Sequence, residues 1–225
     1  MNNQLLLIKF KQRLNKLASF DYDNIESWQV VEAFNKTQLE VSRRESAKGE
    51  ADRRTIENLQ VILKQAPIKG THKRLYFESA NIPPDFLAFK RISCDALTST
   101  CTEPRRMKTY LVEEANIDDL LSDPDRNPNF EWGETIVTII DSKLRIYTSG
   151  KFQVKTPVLT YYREPRPISI IGTVDPATGD VSSVEQTCEF SDAFTELIID
   201  EAAALVAGDI ESFNQVQRLA GRSTQ

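Results

Sequence analysis

The spacing of apolar residues changes twice along this chain, and those changes fix the class of fold. Before Pro67, apolar residues recur every three or four positions, the period of one helical face. Leu6, Phe10, Leu14 and Leu17 mark a first helix. Ile25, Trp28, Val31, Phe34 or Asn35, and Leu39 mark a second, with Asp23 or Asn24 as its N-cap. A third helix is predicted over 51–65, with Ile56, Leu59, Ile62 and Leu63 on one side and Pro67 as its stop. The polar stretch SRRESAKGEADRR between the last two suits the tip of an antiparallel helical hairpin.

After Pro67 the segments shorten to strand length. KRLYFESA, RRMKTYLVEE, ETIVTIID, KLRIYTS and QVKTPVLTYYRE read as strands, and 86–97 reads as either strand or helix. ETIVTIID and KLRIYTS are joined across DSK, the spacing of a tight hairpin. NIPPDF is a loop with a rigid double proline, and Asn116 caps a short helix over 117–121. Val158–Tyr162 and Ile168–Ile171 are expected as two short strands joined by the polar corner REPRP. PISIIGTV and DVSSVEQTCEF then flank the turn former DPATGD.

From Ser191 the helical period returns. Ser191 is the expected N-cap, Asp192 and Glu196 favour the positive end of the helix dipole, and Gly221 ends the helix. Phe194, Leu197, Ile198, Ala202, Leu205, Phe213 and Val216 form its stripe, and Gly208 is a point of bending or interruption. The expected architecture is α+β: an N-terminal helical hairpin packed with an antiparallel β-sheet or small sandwich, and a long C-terminal helix. A single structural domain is expected over 1–225, in which residues 1–66 are helical, residues 73–189 are β-rich and residues 191–220 form the C-terminal helix.

Composition narrows the function. The chain is 40% hydrophobic and 27% charged, ordinary for a globular protein, and no apolar run approaches the ~18 residues a membrane span needs. MNNQLLLIKFKQRLNKL lacks the apolar length and cleavage site of a secretory signal, so a product made in the cytoplasm is expected. Net charge is −5, unevenly spread. Residues 1–110 carry 19 basic and 13 acidic side chains, a balance of +6; residues 111–225 carry 9 and 20, a balance of −11. That asymmetry suits a contact between one copy's basic region and another's acidic region, and equally the free variation of solvated faces. A net acidic chain argues against double-stranded DNA as a sequence-read partner.

The residue types that carry catalysis are sparse. Cys94, Cys101 and Cys188 have no zinc spacing and are expected as free thiols. The single histidine, His72, falls in a predicted surface loop. Asp118, Asp119, Asp123 and Asp125 lack the calcium-loop pattern and read as a solvated helix end. Glu113 and Glu114 would point to opposite faces of a strand. Arg53-Arg54 and Arg105-Arg106 suit solvated or interchain ion pairs. No catalytic, metal or cofactor residue is predicted, the chain is not expected to be an enzyme, and its function is expected to reside in its surfaces.

Three stretches carry a family likeness. They are the hairpin WQVVEAFNKTQLEVSRRE with its tip SAKGEA, the proline-led aromatic of SANIPPDFLAFKRIS, and LTYYREPRPISI followed by CEFSDAFTELIIDEAAALVAGDIESFNQVQRL. In this layout, spanning most of the chain, the protein resembles the head–tail connector, or neck and tail ring, proteins of short-tailed bacteriophages, including the crAss-like group. The resemblance implies a structural virion protein of the neck or tail. Copies, commonly twelve, would form a ring that joins the portal to other tail proteins and passes double-stranded DNA only as lumen cargo, with no membrane partner. Tyr161, Tyr162, Arg163, Pro165, Arg166 and Pro167 are the expected subunit interface, where proline limits strand pairing to a defined register. Ala47, Lys48, Gly49 and Glu50 are the expected contact with an adjoining ring. A competing reading makes 163–167 a polyproline ligand of a soluble interaction module.

Overall fold

The computed structural model describes residues 1–17, 25–48, 53–99, 101, 103–174 and 178–222. In chain order its elements are α1 (Asn3–Leu17), α2 (Ser27–Ser46), α3 (Arg53–Leu59), β1 (Leu63–Pro67), β2 (Gly70–His72), β3 (Tyr76–Asn81), β4 (Phe86–Leu97), β5 (Arg105–Leu111), α4 (Ile117–Ser122), β6 (Glu134–Ile140), β7 (Lys143–Tyr147), β8 (Gln153–Arg163) and α5 (Asp192–Arg222). The fold is α+β, and the chain divides into two compact units: Met1–Val61 with Glu164–Gln225, and Ile62–Arg163.

In the helical unit, α1 buries Leu6, Phe10 and Leu14 completely, as their spacing predicts, and α5 buries Phe194, Ile198, Ile199, Ala202 and Ala203. The two helices run in the same direction. The Met1 amino group meets Asp192 at 2.7 Å, Lys9 meets Glu196, and Arg13 meets Asp200 at 2.5 Å, stepping along both. On α2, Arg44 forks onto Glu201 through two bonds of 2.6 and 3.1 Å. Basic N-terminal and acidic C-terminal segments therefore already meet within one chain. Some of the charge asymmetry expected to join separate copies is consumed here, at roughly 0–1 kcal/mol per exposed pair.

The start of α2 differs from expectation. Asp23 and Asn24 lie outside the described residues; the helix begins at Ser27 with Glu26 at its N-cap. The Glu26 amide donates to Gln29 Oε1 at 3.0 Å, and Trp28 Nε1 donates to Glu26 Oε2 at 2.5 Å. The buried face differs too. Val30, Ala33, Phe34, Thr37, Gln38, Val41 and Ser42 are buried, while Trp28, Val31 and Leu39 are half-buried. Gln38 shares the inner face because extended backbone packs on it and its Nε2 donates to Arg166 O, whereas the buried hydroxyls of Thr37 and Ser42 have no hydrogen-bond partner among the described residues.

The sheet unit is one curled, mixed sheet of order β1-β8-β4-β5-β6-β7-β3-β2. All its pairs are antiparallel except β5–β6, which is parallel. The strands at the two ends of that order are separated in sequence only by Ile68 and Lys69. The Ile68 amide still donates to Pro157 O beside β8, and Lys69 O already accepts from Ala80 in β3, both at 2.8 Å. One bent segment thus leaves β8 and joins β3, closing the sheet on itself. β5 makes a second crossing, with Arg105–Met107 on β4 and Lys108–Leu111 on β6. Gly70 permits the first: a Cβ there would lie 2.2 Å from Glu78 O and 2.8 Å from Ser79 Cα. Phe77, Ile92, Cys94, Val137, Leu144 and Leu159 fill the interior.

Several expectations are corrected. The third helix ends at Leu59, a short 3-10 turn follows, and Leu63–Pro67 is strand β1, paired with Tyr162 to Val158 of β8. Pro67 therefore does not end a helix. Because Ile68 donates toward β8, alternation points the missing Pro67 N–H away from it. The ambiguous 86–97 segment is strand β4, and His72 sits at the exposed end of β2, its ring edge-on to Phe77 at 5.1 Å. The expected strands after Pro167 are reduced to two isolated bridges, Ser169–Gln186 and Val174–Val181. The β6–β7 hairpin is as predicted, with Asp141 and Ser142 both at positive φ, 48° and 57°. Ser191 Oγ accepts from the Phe194 amide at 3.4 Å, and α5 continues through Gly208.

Candidate docking surface

After Arg163 the chain enters the helical unit as extended backbone laid along α2. Asn35 grips it reciprocally: Nδ2 donates to Ile168 O at 3.1 Å, and Oδ1 accepts from the Ile168 amide at 2.8 Å. Gln38 Nε2 donates to Arg166 O at 2.9 Å, and the Arg166 amide donates to Glu189 Oε1 at 3.0 Å. Further on, the buried Asn3 side chain donates to both Ser169 O and Gln186 O. Side chains of α1 and α2 thus replace the ladder that a neighbouring strand would have supplied.

This clamp presents a narrow ribbon whose described limbs are 169–174 and 178–186. The Gly172 amide donates to Ser182 O, and the Ser182 amide to Thr173 O, so the two limbs stay together. Four aliphatic side chains project from it into solvent: Ile171 is 61% exposed, Val174 45%, Val181 61% and Val184 65%. Between the ribbon and the first turns of α2 lies a cavity of about 540 Å³. Trp28 and Val31 line one side, and Ile170, Val174 and Val181 the other, with Glu32 and Asp180 among the lining residues. Thr173 Oγ1 is buried in this wall with no hydrogen-bond partner among the described residues.

The expected interface residues separate on this framework. Tyr161 is completely buried and Tyr162 nearly so. Their strand β8 lies between β1 and β4, so it is an interior strand and not the pairing edge that was expected. Tyr161 donates to Asp85 Oδ1 at 2.8 Å, stacks on Phe86 at 5.7 Å, and shares Asp85 with Lys64, whose Nζ lies 2.8 Å from Oδ2. The proline-led loop thus supplies both groups that fix Tyr161. Burial works against the Asp85 charge, but bonds from Lys64 and Tyr161 hold its pKa below the ordinary carboxylate value. Burial, then the bond to Asp85, pushes the Tyr161 phenol up. Lys90 lies over the Tyr162 ring at 5.8 Å.

Pro165 is buried, Arg163 is half-buried, and Arg166 and Pro167 are exposed. A polyproline partner would have to draw Pro165 out of the helical unit and break the bonds to Gln38 and Glu189. At the expected tip, Ala47 is the C-cap of α2, and exposed Lys48 pairs with Glu45 at 2.6 Å; Gly49 and Glu50 lie outside the described residues.

Two of the remaining polar candidates have structural partners. Glu114 accepts from Arg145 and from the Tyr147 hydroxyl, and Arg106 pairs with Asp95 at 3.4 Å. Cys94 and Cys188 are buried free thiols, and Cys101 is a half-buried one. Among the described residues, no group of three His, Cys, Asp or Glu side chains could hold a metal ion. No helix among them is long and apolar enough to cross a membrane. No protein-family model and no curated protein matches the chain.

Sequence reasoning placed two segments about the turn DPATGD but missed the exposed aliphatic side chains and the cavity. Ile171 and Val174 are spaced three apart, as are Val181 and Val184, which is not the alternation of a half-buried strand, so periodicity marks neither an inward nor an outward face here.

Proposed function

We propose that this chain is a structural subunit of a phage neck or tail ring, linking portal to tail around a DNA passage. The observation that carries the reading is the pair of limbs 169–174 and 178–186, where Ile171, Val174, Val181 and Val184 are exposed and the two central ones help line a cavity with Trp28 and Val31. Exposed aliphatic side chains gathered on two paired limbs suit a site that another protein covers. The likeness of the SANIPPDF and LTYYREPRPISI stretches to connector proteins names the kind of assembly. A structural role without catalysis accords with the partners found for Glu114, Arg106 and Tyr161. A net charge of −5 suits a wall past which DNA slides without being held.

The test is co-expression with the portal protein of the same phage, followed by affinity purification and negative-stain imaging. Annuli stacked on the portal are expected. A chain that fails to co-purify with portal and with every neck or tail component would refute the reading.

A further inference from the structure

The ribbon and the start of α2 have one sign of charge. From Pro167 to Gln217 the chain has ten acidic residues and no basic one, and α2 contributes Glu32 before its first lysine, Lys36. Most acids of α5 that face α1 and α2 are already paired, as Asp192, Glu196, Asp200 and Glu201 show. Asp180 and Glu32, at the cavity, form no ion pair among the described residues. The cavity is therefore lined by Trp28, by aliphatic residues, by the acidic residues Glu32 and Asp180, and by Thr173, whose buried hydroxyl has no hydrogen-bond partner among the described residues. Those groups suit a cationic side chain flanked by an aliphatic one, with cation–π attraction to Trp28 available.

The chain carries such a segment itself. Residues 58–77 contain four Lys or Arg and no acid. Lys64 is held by Asp85, but Lys69, Lys73 and Arg74 form no ion pair among the described residues. Residues 69–75 are all exposed, at the corner where the bent segment joins β3. Leu75, next to Arg74, is 47% exposed. Lys73, Arg74 and Leu75 thus place two cations and an aliphatic group on one exposed corner, complementary in charge and polarity to the cavity.

We infer that the corner of one copy, through Lys73, Arg74 and Leu75, docks into the cavity between Trp28 and the ribbon of the next copy. This rests on the ring reading above and names its subunit contact. Corner and cavity are different surfaces, so the contact is head-to-tail, the kind that propagates until it closes into a ring or extends as a filament.

Sedimentation velocity of the full chain at low and high salt tests it, using Lys73→Gln/Arg74→Gln and Glu32→Gln/Asp180→Asn. The wild type is expected to self-associate at low salt and to dissociate as salt rises. Each double variant alone should show a dissociation constant raised at least ~tenfold. An equimolar mixture of the two retains one intact corner and one intact cavity, so it should form a 1:1 complex and nothing larger. Variants that associate like the wild type, a mixture that stays monomeric, or a wild type monomeric at low salt would each overturn the contact. The two readings fail differently. If Lys73→Gln/Arg74→Gln still forms normal annuli on the portal, the contact is wrong and the ring stands. If the salt-sensitive 1:1 complex forms but no portal or tail component is bound, the contact stands and the ring reading fails.

Discussion

Asn35 and Ile168 exchange two hydrogen bonds, the side-chain amide of one pairing with the backbone of the other as a neighbouring strand would. Ile168 is buried, so neither backbone group has water as an alternative. Asn35→Ala leaves both unpaired and is expected to cost about 2 kcal/mol. Urea unfolding measures this, and amide exchange at Ile168 should accelerate. A loss within ~0.5 kcal/mol, the range of ordinary surface changes, would show that the clamp contributes little.

Gly70→Ala should destabilise the sheet unit by about 1–3 kcal/mol, because its Cβ meets the Phe77 ring and two backbone atoms, Glu78 O and Ser79 Cα, and the backbone atoms cannot rotate aside. Gly179→Ala is a useful contrast. Its φ of 75° makes the substitution strained, but no atom lies within 4 Å of the added Cβ. Thermal unfolding should show the sheet unit melting earlier only in the Gly70 variant.

Asp85 sets an acid limit on the sheet unit. Its pKa is lower folded than unfolded, so its contribution is complete above the ordinary carboxylate value near ~3.9 and disappears as pH falls through the lower folded value. Lys64→Met removes one of the two donors. The Asp85 pKa should then rise, and acid destabilisation should begin at higher pH. Carboxyl NMR titration of both proteins checks this; an unmoved Asp85 titration would show that Lys64 is immaterial.

Thiol labelling should distinguish the three cysteines. Burial pushes the Cys94 thiol up to about 12 and raises that of Cys188, so neither supplies thiolate near pH 8. Cys101 is only half-buried. One fast equivalent per native chain is expected, and three in denaturant, all read with a chromogenic disulfide reagent. Two fast equivalents in the native chain would place one of the buried thiols within reach of solvent.

The regions of the fold that were legible in sequence are those decided locally. Leu6, Phe10 and Leu14 announce α1, and DSK between apolar runs announces the β6–β7 turn, because turn chemistry and helical period act over a few residues. β1 was not legible. Its residues continue the helical stripe of Leu59 and Ile62, and only pairing with a strand about a hundred residues later makes them extended. The inner face of α2 was misphased because Thr37, Gln38 and Ser42 are buried there, and a search for apolar residues passes over them. The interface residues around Tyr161 were chosen for the prolines beside them, yet β8 proved to be interior. That follows from the closing bend at Ile68 and Lys69, which no short-range pattern encodes.

The pairing of Leu63 with Tyr162 has a mechanical consequence. The chain enters the closed sheet at Ile62 and leaves it at Arg163, through the matching ends of two adjacent antiparallel strands. A pull on the two connections would separate β1 and β8 like a zipper, one hydrogen bond after another, instead of shearing them all together. The same arrangement makes Ile62–Arg163 a cassette. Both connections of the sheet unit leave from the same end of one strand pair.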